Sequence, residues 1–161
     1  MTQGIRTGIV GYGYMGQIRC RNVIDHPDLV LAGVCDPARS DQIRTLDTPV
    51  FDRWKDLVAE GLDAVFVCTP NHLIPEVAIA AMDAGQHVFC EKPPGRNLED
   101  VNRIRAAEAA NPDCTLLFGF NHRHHPGITD AKAIIDSGSL GDVLTLCGVY
   151  GKGGGYDHHS S

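Results

Sequence analysis

The turn Gly11-Tyr12-Gly13-Tyr14-Met15-Gly16 constrains this chain more than any other feature. An apolar approach, Ile5 to Val10, reads as a strand before it, and a helix-compatible stretch, Gln17 to Asp25, follows. A second apolar run, Leu29 to Cys35, ends on Asp36, twenty positions past Gly16. A GxGxxG string alone is weak, but set between strand and helix with an acid closing the next strand it is the opening of a dinucleotide-binding βαβ unit. One glycine permits the tight turn, one lets the backbone approach a pyrophosphate, and one lets the helix pack close to the strand. The helix start then offers unpaired N–H groups and a partial positive charge to phosphates. The bland alternative is a glycine-rich turn with no ligand. The fit of each position to an energetic need argues against it.

Short apolar runs alternate with amphipathic stretches along the rest of the chain. Ile5–Val10, Leu29–Cys35, Ala64–Cys68, His87–Cys90 and Thr115–Phe120 read as strands, with a short extra one at Pro49-Val50-Phe51. Gln17–Asp25, Trp54–Glu60, Pro75–Ala84 (stopped by Gly85) and Asn97–Ala110 (opened by Asn97 with Glu99 and Asp100 behind it) read as helices. This order predicts an α/β fold, a Rossmann doubly wound parallel sheet with helices on both faces, over residues 1–120. Ala64 to Cys68 is apolar throughout, as expected of a central strand covered on both sides.

The style changes after Phe120. Residues 121–127 read as a polar linker, Ile128–Ser137 as a helix stopped by Gly138, and Asp142–Tyr150 as a strand. One helix and one strand cannot bury their own apolar faces. Residues 121–161 are therefore expected to be a linker and the first elements of a truncated α+β C-terminal domain, and the chain a fragment of a longer protein. The segment from Asp142 onward is expected to be the least ordered part or to pair with another chain.

The 161 residues are 43% hydrophobic and 21% charged, enough for one packed core. A formal net charge of −6 with no Lys/Arg run speaks against nucleic acid. No apolar run approaches the ~18–20 residues of a membrane helix, and no signal-like segment precedes the first strand, so cytoplasmic residence is the expectation. Six cysteines show no metal or redox spacing. Cys35, Cys68, Cys90 and Cys114 lie in or beside strand-like runs and read as buried free thiols. His122, His124 and His125 sit too close together, without a Cys or acid at familiar spacing, to suggest a metal. His158 and His159 fall in a glycine-led, tag-like tail, and Trp54 reads as a packing residue.

Cys68-Thr69-Pro70-Asn71-His72 and Glu91-Lys92-Pro93, together with the Gly11–Gly16 turn, resemble the glucose–fructose oxidoreductase / inositol dehydrogenase / rhizopine catabolism (Gfo/Idh/MocA) family over essentially the whole chain. The resemblance implies an NAD(P)-dependent oxidoreductase acting on a sugar, nucleotide-sugar or cyclitol, with a homo-oligomeric full-length form. It implies that Gly11, Gly13, Tyr14, Met15 and Gly16 hold the pyrophosphate, and that Asp36 meets the adenosine ribose. Thr69, Pro70, Asn71 and His72 would line the middle of the cofactor, Glu91 would approach the nicotinamide ribose, and Asn121 would lie close to the nicotinamide. Lys92 would be the catalytic lysine, touching cofactor and substrate, and Arg123 a substrate contact. The family's second catalytic cluster, an Asp-x-Gly-x-x-x-His-like stretch, has no match here. Tyr150-Gly151-Lys152-Gly153-Gly154 resembles the segment leading towards it, so the fragment is expected to be inactive alone.

Oxidising a secondary alcohol moves a hydride to the nicotinamide and a proton to a base within hydrogen-bond reach. A lysine's ordinary pKa of ~10.4 is too high for that work near neutrality; burial and a positive nicotinamide would both lower it. The bland reading of Lys92 is a solvated strand-end lysine. Asp36 favours NAD, since a carboxylate accepts from a free 2′-OH and repels a 2′-phosphate; Arg39 and Ser40 leave NADP possible, and a helix cap is the bland reading of the same acid. A non-catalytic dinucleotide sensor is the competing function. A methyltransferase that binds S-adenosylmethionine is disfavoured, because it has no use for Glu91-Lys92-Pro93.

Overall fold

The computed structural model describes residues 4–149 and 151. The chain divides into two compact units, Met1–Gly119 and Phe120–Ser161. In the first, β1 (Ile5–Val10), β2 (Leu29–Cys35), β3 (Val50–Phe51), β4 (Ala64–Val67), β5 (His87–Cys90) and β6 (Leu116–Phe118) form one sheet in the order β3-β2-β1-β4-β5-β6. Every pairing is parallel. The order reverses between β1 and β4, so the carboxyl ends of those strands frame the crevice where open α/β sheets take ligands.

Alternation along each strand sends side chains to two separate cores. Val10, Cys35, Val65, Val67, Val88 and Cys90 point to one face, under α3 (Trp54–Val58), α4 (Ile74–Asp83) and α5 (Leu98–Ala110). Ile9 and Val34 point to the other, under Cys20 and Val23 of α1 (Tyr14–Asp25) and Ile43 of α2 (Ser40–Ile43). Each fully buried valine or isoleucine contributes about 1.5–3 kcal/mol relative to exposure. Backbone approach is tight on the first face: a Cβ on Gly33 would lie 2.6 Å from the Phe51 ring and 2.8 Å from Leu57.

Several elements differ from the sequence reading. Helix α1 begins on Tyr14, three residues earlier than periodicity suggested, because Gly13 with extended backbone is its N-cap. The 3₁₀ turn Pro37–Arg39 and α2 follow Asp36, as the cap reading of that acid expects, though without assigned bounds; four residues carry no readable period, and the anchor is the fully buried Ile43. β4 is covered on both faces, as expected, but unequally: Val65 and Val67 are buried while Ala64 and Phe66 are partly exposed. Phe66 packs against the α1-side core and leans on Phe89, with ring centroids 5.2 Å apart. The cap at Asn97 forms as expected, its side chain accepting from the Asp100 N–H at 2.9 Å.

The second unit holds a 3₁₀ turn, Asn121–His124, and α6 (Pro126–Asp136), which starts two residues before the expected Ile128. His125 caps it, Nδ1 accepting from the Gly127 N–H at 3.2 Å. The strand expected over Asp142–Tyr150 is not formed among its described residues. Leu144, Leu146 and Val149 are 92%, 83% and 97% exposed. A strand needs a neighbour for its backbone hydrogen bonds, and the described part of this unit holds no other strand. Tyr150 and the tail from Lys152, with Gly153, Gly154, His158 and His159, lie outside the described residues.

Leu57 is fully buried and fills the space left by Gly8 and Gly33. Leu57→Ala is expected to lower unfolding free energy by about 2–5 kcal/mol, and Leu144→Ala by no more than about 0.5 kcal/mol. Urea denaturation of the two variants measures both.

Candidate dinucleotide site

The β1–α1 turn is held by its neighbours. Gly11 adopts φ +93°, a region closed to most L side chains, and its N–H donates to the Cys35 carbonyl at 2.8 Å. A Cβ there would lie 2.5 Å from the Cys68 carbonyl oxygen, and one on Gly16 would collide with the Gly11 carbonyl oxygen. Gly13 faces open space: a Cβ on it would meet nothing within 4 Å. The Gln17 N–H bonds to the Gly13 carbonyl, so the N–H groups of Tyr14, Met15 and Gly16 precede the helical ladder and remain available to an anion.

Asp36 closes the turn from β2. One carboxylate oxygen accepts from the Tyr12 N–H at 2.8 Å and the other from the Ala38 N–H at 3.0 Å. The acid thus caps the turn Pro37–Arg39 and braces the glycine loop together. Arg39 reaches forward to α2, donating to Gln42 Oε1 at 3.3 Å.

Beside this turn is a cavity of about 520 Å³, lined by Gly11, Asp36, Trp54, Thr69, Pro70 and Leu73 among others. Thr69 lines it, and among the described residues the buried Thr69 hydroxyl oxygen has no hydrogen-bond partner. A buried hydroxyl left so costs about 1–3 kcal/mol. The corner at 52–55, with Arg53 paired to Asp56 and the Lys55 ammonium 5.4 Å over the Trp54 ring, also walls the cavity. Trp54 packs against the core as expected and also walls the cavity; its place just past the carboxyl end of β3 is the signal for the second role.

The remaining expected residues lie elsewhere. Asn71 is partly buried and His72 exposed, in the turn before α4, and neither lines the cavity. Glu91 and Lys92 follow β5. Glu91 is buried, and its Oε1 accepts from Arg19 Nε and Nη2 at 2.9 and 2.6 Å. Lys92 is exposed, so the described residues do not supply the burial invoked for it. The bond from Lys92 to Pro93 is cis. The loop beyond is tied down by Asp100, which accepts from the Arg96 N–H at 3.0 Å and from Arg96 Nε at 3.1 Å. The Arg96 hydrogen bonds hold the Asp100 carboxyl below its usual 3.8. Asn121 and Arg123 are exposed and belong to the second unit. Arg19 escaped the sequence reading, although its position three residues past Gly16 puts both on one helix face.

The thiols near the site are shielded. Burial, with Glu91 nearby, pushes Cys68 up to about 12; burial does the same for Cys90, and raises Cys35 to about 11. Cys35 and Cys90 are buried as expected, while Cys68 and Cys114 are partly exposed. Among the described residues no three His, Cys, Asp or Glu side chains gather where they could hold a metal ion.

A parallel sheet reversing beside a glycine turn, a helix N-terminus aimed at the crevice and an acid closing the second strand define a Rossmann dinucleotide-binding unit. The family described as "Oxidoreductase family, NAD-binding Rossmann fold" (Gfo/Idh/MocA) matches residues 5–120, and the chain belongs to it. Relatives include the myo-inositol 2-dehydrogenase of Thermotoga maritima, 34% identical over 88% of this chain and 44% of that protein. The inositol 2-dehydrogenase of Gluconacetobacter diazotrophicus is 36% identical over 91% of this chain and 45% of that protein. Among solved structures, scyllo-inositol dehydrogenase from Lactobacillus casei with bound NAD(H) and scyllo-inositol superposes with a TM-score of 0.79. It is 29% identical, over 86% of this chain and 43% of that one. The chain thus spans less than half the length of these relatives.

Thiol reactivity follows from burial. At a pKa of about 12 the thiolate is on the order of a thousandfold scarcer than at the usual 9. Alkylation with iodoacetamide at pH 8, followed by mass spectrometry, is expected to label the exposed Cys147 first and Cys68 and Cys90 only on unfolding.

Proposed function

We propose that this chain binds NAD and forms the cofactor half of a dehydrogenase that oxidises a secondary alcohol of a cyclitol, sugar or nucleotide-sugar. The observation that carries the proposal is the cavity beside the Gly11–Gly16 turn, with Asp36 and Thr69 in its wall and Gly13 open in front of the helix. Adenosine fits the cavity, with its ribose towards Asp36. The phosphates fit against Tyr14, Met15 and Gly16 at the start of α1. Asp36 repels a 2′-phosphate, and Arg39 is engaged with Gln42, so NAD is preferred to NADP.

Bound NAD would supply a hydride acceptor at the carboxyl rim of β4 and β5. Lys92, at the end of β5, would be the base that takes the alcohol proton and returns it to solvent after turnover. Its exposure in this chain leaves it open to a substrate approaching from outside the sheet. Asn71, His72 and Asn121 would complete the cofactor's surroundings and Arg123 the substrate's. A second domain of the kind the full-length relatives have room for would shield the reacting atoms, and we assign homo-oligomer formation to that longer form. No helix among the described residues is long and apolar enough to cross a membrane.

Isothermal calorimetry tests the cofactor directly. NAD⁺ is expected to bind at least about tenfold more tightly than NADP⁺, a difference of about 1.4 kcal/mol; NADP⁺ binding more tightly would reverse the assignment. Gly16→Ala, which forces the Gly11 carbonyl to move, is expected to raise the Kd for NAD⁺ about tenfold or more. In a polypeptide of the relatives' full length, Lys92→Ala is expected to cut turnover by about 10²–10⁴-fold without changing the Kd for NAD⁺. A wild-type protein that binds NAD⁺ and reduces none with inositols, sugars or nucleotide-sugars would favour the sensor reading.

A further inference from the structure

We propose that Arg19 is a positioning residue for the nicotinamide-side half of the site, acting through Glu91. The proposal rests on the NAD-binding reading above and extends it to a residue outside the expected site. The turn and cavity set the direction of the cofactor. Its adenosine end lies on the β2 side of the reversal, over Asp36 and Trp54, and its phosphates lie at the start of α1. The half beyond the phosphates must cross to the carboxyl ends of β4 and β5, where Glu91 is the first residue after the strand.

Glu91 is held from three sides there. Its N–H donates to the Val67 carbonyl at 2.9 Å, which fixes the backbone to β4. Arg19 places both Nε and Nη2 on Oε1. Its guanidinium also lies over the Phe89 ring, 4.6 Å from the centroid, so the planar head is fixed on its face as well as its edge. Oε2 faces Gly119, where a Cβ would come within 2.8 Å of it. The side chains of Arg19 and Glu91 are 19% and 8% exposed. Among the described residues Oε2 accepts no hydrogen bond, so Arg19 leaves one oriented carboxylate oxygen at the rim. A ribose hydroxyl beyond the pyrophosphate is the donor that chemistry calls for. Because Arg19 stands on the phosphate-binding helix, it also ties that helix to the strand end that carries Lys92.

The test compares two probes on the 161-residue chain: NAD⁺, and ADP, which lacks the second ribose and the nicotinamide. Arg19→Met is expected to raise the Kd for NAD⁺ about tenfold while changing that for ADP by less than about twofold. Arg19→Lys, which keeps the charge but loses the fork and the stacking, should fall between wild type and Arg19→Met. Equal weakening of both probes would assign Arg19 to the fold alone and overturn the proposal, and so would no weakening of either. Should Arg19→Met fail to fold, Arg19→Lys carries the same comparison alone: selective loss of NAD⁺ affinity supports the positioning role, and parallel loss or none overturns it. A folded wild-type chain that binds neither probe would overturn the NAD reading itself, and this inference with it.

Discussion

The close approach of β1 and α1 is the constraint on which the rest of this structure depends. The chain must leave β1 and enter a helix within a few residues while passing the ends of β2 and β4. Gly11 makes this possible with a backbone conformation that side chains avoid, and with a surface bare enough to touch the Cys68 carbonyl. Gly16 then seats the first turn of α1 directly on the Gly11 carbonyl. The helix axis is thereby aimed at the crevice formed where the strand order reverses. Unpaired N–H groups and the helix dipole arrive at the same point.

Polar groups on either side of that turn serve fold and site together. Asp36 braces the loop through the Tyr12 N–H and caps the next turn through the Ala38 N–H, so its carboxylate is already oriented. On the far side, Arg19 orients Glu91, and Asp100 anchors the loop that follows Lys92. A carboxylate held by two or more donors loses little further freedom when a ligand arrives, the physical basis of preorganisation. Thr69 is the exception: among the described residues its buried hydroxyl has no partner.

Much of this was legible in the sequence, and the reasons are local. Ile5–Val10, Leu29–Cys35 and His87–Cys90 are strands with the bounds their apolar runs suggest. The glycine spacing located the turn because each glycine answers a steric demand that no other residue meets. Long-range pairing was not legible. Nothing in the one-dimensional pattern says that Arg19 meets Glu91 across 72 positions, or that the 52–55 corner closes the cavity. The strand expected after Asp142 shows the converse limit. Alternating apolar residues state a propensity, and a strand forms where a partner edge satisfies its backbone.

The central claim is that a nicotinamide dinucleotide lies across the carboxyl rim with its phosphates on the first turn of α1. An amide NMR titration of this chain with NAD⁺ addresses it residue by residue. The N–H signals of Gly13, Tyr14, Met15 and Gly16 are expected to shift first and furthest, with Thr69 and Asp36 following and Leu144 unmoved. Saturable shifts confined to residues away from the β1–α1 turn, or none at all in a folded sample, would contradict it.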